Sequence, residues 1–299
     1  MPFVPFKELM HDAEDRQYAV GYFESWNLGS LLAVCDAAEA MKSPVIIGFS
    51  GIDLPNYEHV VKNTLSLYAT LVKEACSKLS VPVCTIFNES PYFNLVMESI
   101  DHKFGLVMLT NDGLSFEEQI KQIKMVVNKA HANSVAVEGE IESPSGLGDS
   151  LITIPKEIKF TNIDSARLFV EQTEVDSFAI NIGQVHTIGN EKVHLDFSNL
   201  KKLKEDISVP LVLHGASSVH DTDIVEAIKL GIRKINVGKV LKQTYFEVLK
   251  SEIVKVNNDY DPYKVVGSGL DSDVLNSARI KLQKEIEGLM ELFGSKGKA

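Results

Sequence analysis

The sequence predicts an α/β protein that folds as a single (β/α)8 barrel over residues 1–299. Short apolar segments rich in β-branched residues alternate with longer amphipathic segments along the whole chain, which is typical of repeated βα units. Eight such units can be counted, the number that closes a parallel barrel of this size. No linker or low-complexity tract divides the chain, so we expect one domain.

The predicted strands, in chain order, cover residues 18–22, 44–48, 81–86, 104–108, 134–138, 177–182, 209–213 and 234–237. Leu28–Met41, after the first strand, has the apolar period of a helix. Ser115, with Glu118 three residues later, predicts a capping box at the start of a long helix. Residues 143–158 are rich in Ser, Gly and Pro and predict a loop over the barrel mouth, and residues 293–299 predict a flexible terminus.

The composition narrows the class of protein. A formal net charge of -11 argues against nucleic acid as a general partner. The three cysteines lack the spacing of a disulfide framework or a metal motif, which favours a reducing compartment. No signal segment opens the sequence and no apolar run is long enough to span a bilayer. We therefore expect a cytoplasmic protein that binds no membrane.

Polar side chains follow the predicted strands at the end where barrel enzymes carry their active sites. The fourth strand is followed by Thr110, Asn111 and Asp112. The other strands place these residues on the same rim: Glu24, Ser50, Asn88, Glu89, Glu138, Glu140, Glu142, His186, His214, Asn236 and Lys239.

Two kinds of chemistry are indicated on this rim. His186 and His214, with the nearby carboxylates, form a set of ligands that suits a catalytic divalent metal such as Zn²⁺, which would polarise a substrate carbonyl. The Gly215–Ser217 turn, with Asn236 and Lys239, offers backbone N–H groups and a cation that suit a phosphate.

Each assignment has a structural alternative. His214 could be a hydrogen-bonded core histidine, and Lys239 a surface lysine at the start of a helix. Glu138 and Glu140 share one face of their strand, and one of them could simply pair with a lysine.

Seven segments, taken together and in this order, carry a family resemblance: Tyr18–Gly21, Ser43–Ile46, Val81–Val83, Val209–Gly215, Lys234–Val237, Tyr260–Pro262 and Leu292–Ala299. On these segments the chain resembles the class II, metal-dependent fructose-bisphosphate and tagatose-bisphosphate aldolases over nearly its full length. The resemblance implies a (β/α)8 (TIM) barrel that forms a homodimer or homotetramer. It also implies a Zn²⁺ ion that stabilises the enediolate of dihydroxyacetone phosphate during reversible aldol cleavage.

The resemblance carries several roles to individual residues. His186 and His214 match two zinc-binding histidines, and Glu140 matches a glutamate near the metal. Positions that hold the ketose phosphate in the family are matched by Gly215, Ser217 and Asn236.

The departures from the family lie at its catalytic centre. The aspartate that acts as acid and base is Asn88 here, and the third zinc histidine is Glu89. An amide cannot exchange protons near neutral pH as a carboxylate does. The other departures are Glu24 for an asparagine, Thr110 for an aspartate, Gly148 for a glutamate, and Gly238 and Lys239 for an aspartate and a threonine.

Three hypotheses follow for the function. The first is a divergent metal-dependent lyase acting on a phosphorylated or otherwise acidic sugar, with Glu89 as the third ligand and Glu24 or Glu142 in proton transfer. The second is a metal-free enzyme, such as a Schiff-base aldolase, transaldolase or isomerase, with Glu89 or Lys239 as the working group. The third is a non-catalytic sugar-phosphate-binding protein. Because Glu24, Glu89 and Lys239 gain charge relative to the family, altered chemistry is favoured over loss of chemistry.

Overall fold

The computed structural model describes residues 2–52, 54, 64–111, 113–145, 154–155, 158–186 and 191–299. Eight parallel strands pair in sequence order and close into a barrel. The strands are β1 Val20–Ser25, β2 Val45–Ser50, β3 Val83–Ser90, β4 Leu106–Leu109, β5 Ala136–Glu140, β6 Ser177–Ile180, β7 Leu211–Leu213 and β8 Ile232–Val237. The predicted (β/α)8 fold is confirmed.

Helices cover the barrel and extend beyond the eighth strand. They are α1 Phe6–Asp15, α2 Leu28–Met41, α3 Leu65–Cys76, α4 Phe93–Asp101, α5 Phe116–Ala132, α6 Ile163–Thr173, α7 Phe197–Asp206, α8 Asp221–Lys229, α9 Lys239–Lys255, α10 Pro262–Val265 and α11 Val274–Leu292. The predicted bounds of α2 are confirmed. Among the described helices, none is long and apolar enough to cross a membrane.

The first five strands end later than their apolar pattern predicts. The predicted strands ended at Tyr22, Gly48, Ile86, Met108 and Glu138. In the structure Glu24, Ser50, Asn88 and Glu140 still belong to the strands. Their side chains point into the mouth of the barrel and not into the apolar core. The apolar pattern therefore stops before the strand does. The functional rim is therefore built on strand ends, which hold side chains more rigidly than loops do.

The two ends of the barrel differ in polarity. Phe6, Leu9 and Met10 of α1 pack against inward residues of the first strands, such as Ile46 and Ile86. This apolar cluster closes the amino-terminal end of the barrel. The carboxyl end keeps its polar side chains, so chemistry is confined to one face.

The predicted capping box needs correction. Ser115 does cap α5, because its hydroxyl accepts from the Glu118 N–H at 3.3 Å, but the Glu118 side chain pairs with Lys121 instead of completing the capping box. Most of the predicted mouth loop lies outside the described residues.

The predicted flexible terminus, residues 293–299, is in fact fixed to the barrel. Phe293 is buried and stacks on Phe23 with ring centroids 6.2 Å apart. The buried Ser295 shares a 2.8 Å hydrogen bond with Ser43. The small residues at this terminus allow close packing against the barrel. A mobile tail can have the same composition, so the sequence did not distinguish the two.

Candidate active site

A buried histidine is the centre of the polar mouth. His214 is 1% exposed and follows β7. Its Nε2 lies 2.9 Å from Oε1 of Glu138, and its Nδ1 lies 2.9 Å from Oε1 of Glu89 and 3.5 Å from Oε1 of Glu140. Lys234 extends the chain of charges, with Nζ 2.9 Å from the other oxygen of Glu138. The alternative that one glutamate of β5 pairs with a lysine is thus realised by Glu138.

This network sets the charge of its members. Burial favours neutral groups, but the carboxylates of Glu140, Glu138 and Glu89 outweigh it and raise the pKa of His214 to about 10. Burial is likewise outweighed at Glu138, where Lys234 and His214 lower the carboxyl pKa to about 2. The centre of the barrel is therefore an alternation of opposite charges.

Asn236 belongs to the same network. Its Oδ1 accepts from Lys234 Nζ at 2.6 Å, which fixes the amide, and its Nδ2 lies 2.9 Å from His214 Nε2. The single hydrogen on Nε2 of His214 donates to Glu138, because a carboxylate is a stronger acceptor than a neutral group. In a neutral His214 this arrangement leaves the Nδ1 lone pair directed at the mouth.

The second histidine lies beside the first. The backbone N–H of His186 donates to the Ser145 carbonyl at 2.8 Å, and a Cβ on Gly215 would lie 3.6 Å from the ring atom Nε2 of His186. That nitrogen is buried and has no hydrogen-bond partner among the described residues. Burial lowers the pKa of His186, against the opposing effect of Glu89, so the ring is neutral and has a lone pair available.

Glu89 reaches these histidines through an unusual backbone. Its φ is +48°, and the pairing of β3 with β4 shifts register between Phe87 and Ser90. A left-handed conformation at a residue with a side chain costs about 1–3 kcal/mol, and such bulges turn side chains toward functional sites. Burial is outweighed by His214 and His186, which lower the pKa of Glu89 and keep it ionised.

These residues supply ligands for a metal without forming a finished site. Within the ranges that the structure describes, no group of three His, Cys, Asp or Glu side chains is positioned to hold an ion. The donor chemistry nevertheless fits: Nδ1 of His214 and Oε1 of Glu89 are close but not aligned as a hydrogen bond. Nε2 of His186 is buried beside them.

Glu24 lies near the end of β1, next to β8. Its Oε1 is 2.7 Å from Lys242 Nζ of α9. Its other oxygen occupies the space beside Gly238, where a Cβ would come within 2.3 Å. A side chain at 238 would therefore displace the Glu24 carboxylate, which is the flexible end of its side chain.

The predicted anion cradle contains one cation that the sequence analysis missed. Gly215 is left-handed, with φ +62°, and leads into a short 3-10 turn, Ala216–Ser218. Lys192 donates to the Ser217 carbonyl at 3.1 Å. Burial and then the charge of Lys192 lower the pKa of Lys239, so the two ammonium groups share this side of the mouth.

Besides Glu89, the β2–β4 side of the mouth carries uncharged polar groups. Ser50 pairs in register with Asn88. The buried Oδ1 of Asn88, the Thr110 hydroxyl and the Oδ1 of Asn111 have no hydrogen-bond partner in the described structure. These atoms are available to a ligand. Asp112 and Gly148 lie outside the described residues.

Glu142 is not part of this constellation. It lines a separate cleft beside the first turns of α5 and α6, and no hydrogen bond or ion pair in the described ranges links it to either histidine. The sequence analysis also missed Lys234 as a member of the network. The available signal was a lysine two residues before Asn236 inside an otherwise apolar strand, where period two turns both side chains inward.

Comparisons with known proteins agree along the whole chain. The model of the family described as fructose-bisphosphate aldolase class-II matches residues 4–298. The sulfofructosephosphate aldolase of Alkalicoccus urumqiensis is 28% identical, covering 100% of this chain and 99% of that protein. The fructose-bisphosphate aldolase of Geobacillus stearothermophilus is 30% identical, with coverage of 100% and 99%. The crystal structure of the YdjI aldolase from Escherichia coli K12 superimposes with a TM-score of 0.80 at 29% identity, covering 99% of each chain.

The buried network makes a prediction about stability. Glu138→Gln should lower the free energy of unfolding by about 3–5 kcal/mol, because it leaves the buried Lys234 ammonium uncompensated. Adding Lys234→Met should recover part of this loss. Urea unfolding measures both variants, with Glu226→Gln of the exposed Glu226–Lys229 pair as control, expected to change stability by less than about 1 kcal/mol. Equal losses in Glu138→Gln and the control would contradict the network.

Proposed function

Because the chain belongs to the class II fructose-bisphosphate aldolase family, we propose that it is a divergent metal-dependent aldehyde-lyase. It would cleave and form an aldol bond in a phosphorylated or otherwise acidic sugar. The observation that carries this proposal is the geometry of His214. Glu138 contacts one ring nitrogen, Nε2, and the other nitrogen faces Glu89 and the neighbouring His186. A carboxylate that orients a ligand histidine from behind is characteristic of catalytic metal sites.

The metal would be held by His186, His214 and Glu89, with Glu140 as supporting or alternative ligand, and Zn²⁺ is the ion this set favours. Charge supports the assignment. The carboxylates of Glu89, Glu138 and Glu140 face one lysine, Lys234, which leaves two negative charges for one divalent ion when His214 is neutral. When bound, the ion would polarise the carbonyl oxygen of the substrate.

The substrate would be a small phosphorylated or similarly acidic sugar. Several relatives are named for such compounds, among them a sulfofructosephosphate aldolase and a 6-phospho-5-dehydro-2-deoxy-D-gluconate aldolase. In this chain Gly215, Ser217, Asn236 and Lys239 would hold the acidic group, with Lys192 as a further cation. Ser50, beside Asn88, would bind a hydroxyl of the sugar.

Proton transfer must come from another group than Asn88. Glu24 is a carboxylate on the rim, whereas Glu142 lines a cleft between two helices. We therefore assign the acid–base role to Glu24, which Lys242 holds in one orientation. Asn88 would instead position the substrate through its available amide oxygen.

A second candidate function rests on Lys239. Burial and the neighbouring Lys192 lower its pKa, and a lysine activated in this way is the nucleophile of Schiff-base enzymes. In this alternative no metal takes part, and the amine forms an imine with the substrate carbonyl.

We also propose one domain over residues 1–299, acting in the cytoplasm. The three cysteines are buried and unpaired, which suits a reducing compartment. Neither nucleic acid nor membrane is proposed as a partner.

Metal content tests the ligand assignment. Purified protein should contain close to one equivalent of divalent metal, and His186→Ala or His214→Ala should abolish most of it, because each removes one of three ligands. Elemental analysis after dialysis against Zn²⁺ measures this, with His102→Ala, on the distant end of α4, as control. Stoichiometric metal in both active-site variants would refute the assignment.

Activity separates the two candidate functions. Metal-loaded protein should cleave fructose-bisphosphate and tagatose-bisphosphate poorly, and Asn88→Asp with Glu89→His should raise that turnover by restoring the family pattern. Coupled detection of dihydroxyacetone phosphate measures the rate. Borohydride added with dihydroxyacetone phosphate should leave Lys239 unmodified. Reduction onto Lys239 would favour the metal-free mechanism, and efficient cleavage by the unaltered protein would contradict our interpretation of the departures.

The contact of Glu24 with Gly238 predicts strong coupling between these positions. Gly238→Asp alone should destabilise the protein by about 1–3 kcal/mol, because its side chain would collide with the Glu24 carboxylate. Glu24→Asn in the same protein should relieve the collision, so the double variant should be more stable than Gly238→Asp. Urea unfolding measures the cycle, and Gly288→Ala, where no atom lies near the added Cβ, is the control. Additive effects would exclude the coupling.

The assembly would be a homodimer or homotetramer. α9 buries only Leu241 among its 17 residues, and large apolar side chains are exposed there and just beyond, including Phe246, Val254 and Tyr263. Light scattering should give a mass at least twice that of the chain, and Tyr263→Glu should lower it by placing a charge in the interface. A monomeric mass for the unaltered protein would refute the assembly.

A further inference from the structure

A cleft opens between the beginnings of α5 and α6. Its volume is about 380 Å³, within the roughly 300–1,000 Å³ range of small-molecule sites. The floor includes the apolar Phe116 and Ile141, and Gln119, Glu142, Ser143 and Lys159 supply polar groups. None of the residues that line it belongs to the proposed metal set or the anion cradle.

One buried polar atom in this cleft has no partner. Gln119 is 5% exposed, and its Nε2 donates to the Leu114 carbonyl at 3.0 Å, which fixes the orientation of the amide. Its Oε1 is buried and accepts no hydrogen bond within the described structure. Leaving a buried acceptor unsatisfied is unfavourable, so Gln119 indicates that a hydrogen-bond donor, such as a hydroxyl group, belongs here.

Two helix N-termini and a lysine that line the cleft favour an anion. The first turns of α5 and α6 line it, and Ser115 and Asn162 cap only the third N–H of each helix. The earlier N–H groups have no partner inside a helix, and the helix dipole makes this end positive. The Lys159 ammonium adds a full positive charge at the rim.

We propose that this cleft is a second binding site, for a small hydroxylated acid with one carboxylate or phosphate group. The acidic group would bind Lys159 and the helix N-termini, and hydroxyl groups would donate to Gln119 and Glu142. This assigns Glu142 to ligand binding and not to proton transfer. The site adjoins the mouth, because Ser143 lines the cleft and donates to Glu140 at 2.7 Å.

Calorimetric titration of the Lys239→Ala protein tests the site, since this background weakens the anion cradle of the mouth. The probes are glycerol 3-phosphate, D-glycerate, inorganic phosphate and glycerol. At least one of the two hydroxylated acids should bind with one-to-one stoichiometry, and more tightly than phosphate or glycerol, because only these acids satisfy both halves of the cleft. Tighter binding of phosphate than of both acids would contradict the proposed ligand class.

Two variants locate the binding. Lys159→Gln should weaken it by about tenfold or more, the effect of losing a charge-assisted contact, and Gln119→Met should weaken it severalfold. Lys121→Gln removes an equally exposed charge from α5 outside the cleft and should have no effect. No saturable binding of either acid, or equal affinity in Lys159→Gln and Lys121→Gln, would overturn the proposal. Because the measurement needs neither metal nor turnover, its failure is distinct from failure of the proposed aldolase function.

Discussion

The interior of this barrel must accommodate several charges where water is excluded, and the rest of the site depends on how they neutralise one another. Lys234, Glu138, His214 and Glu89 alternate in sign from β8 to β3. A buried carboxylate without a partner would cost more than most single packing defects. The network therefore fixes the ring of His214, limits which nitrogen can face the mouth, and makes the strand ends interdependent. The chemistry that we propose uses that pre-set orientation.

The barrel was predictable because alternation of apolar strands and amphipathic helices is a strong, repeated signal. His214 was predictable because it directly follows a strand, and His186 because it lies in the connection that leaves the preceding strand. Other features depend on tertiary context. Glu89 faces His214 only because a bulge gives it a left-handed backbone, and no local pattern predicts φ > 0 at glutamate. The anchoring of residues 293–299 likewise depends on Phe23 and Ser43, far away in the sequence.

The departures from the family pattern acquire physical meaning when they are considered in pairs. Glu24 and Gly238 look independent in the sequence, yet the carboxylate of one fills the space that a side chain on the other would need. The family pattern has a carboxylate after β8, at position 238, whereas this chain has one on β1, at Glu24. The charge of Lys192 likewise acts on Lys239, although Lys192 lies in a connection without any recognisable motif.

The attachment of the last residues to the first strand has a consequence for biosynthesis. β1 completes its pairing only with β8, and the N–H of Ala19, just before β1, donates to the Phe293 carbonyl at 3.1 Å. At translation rates of roughly 5–20 residues per second, β1 waits on the order of 10–50 s on the ribosome with an open edge. Unpaired edges recruit foreign strands, so the nascent chain is most exposed to misassembly, and most dependent on chaperones, before its final helix emerges.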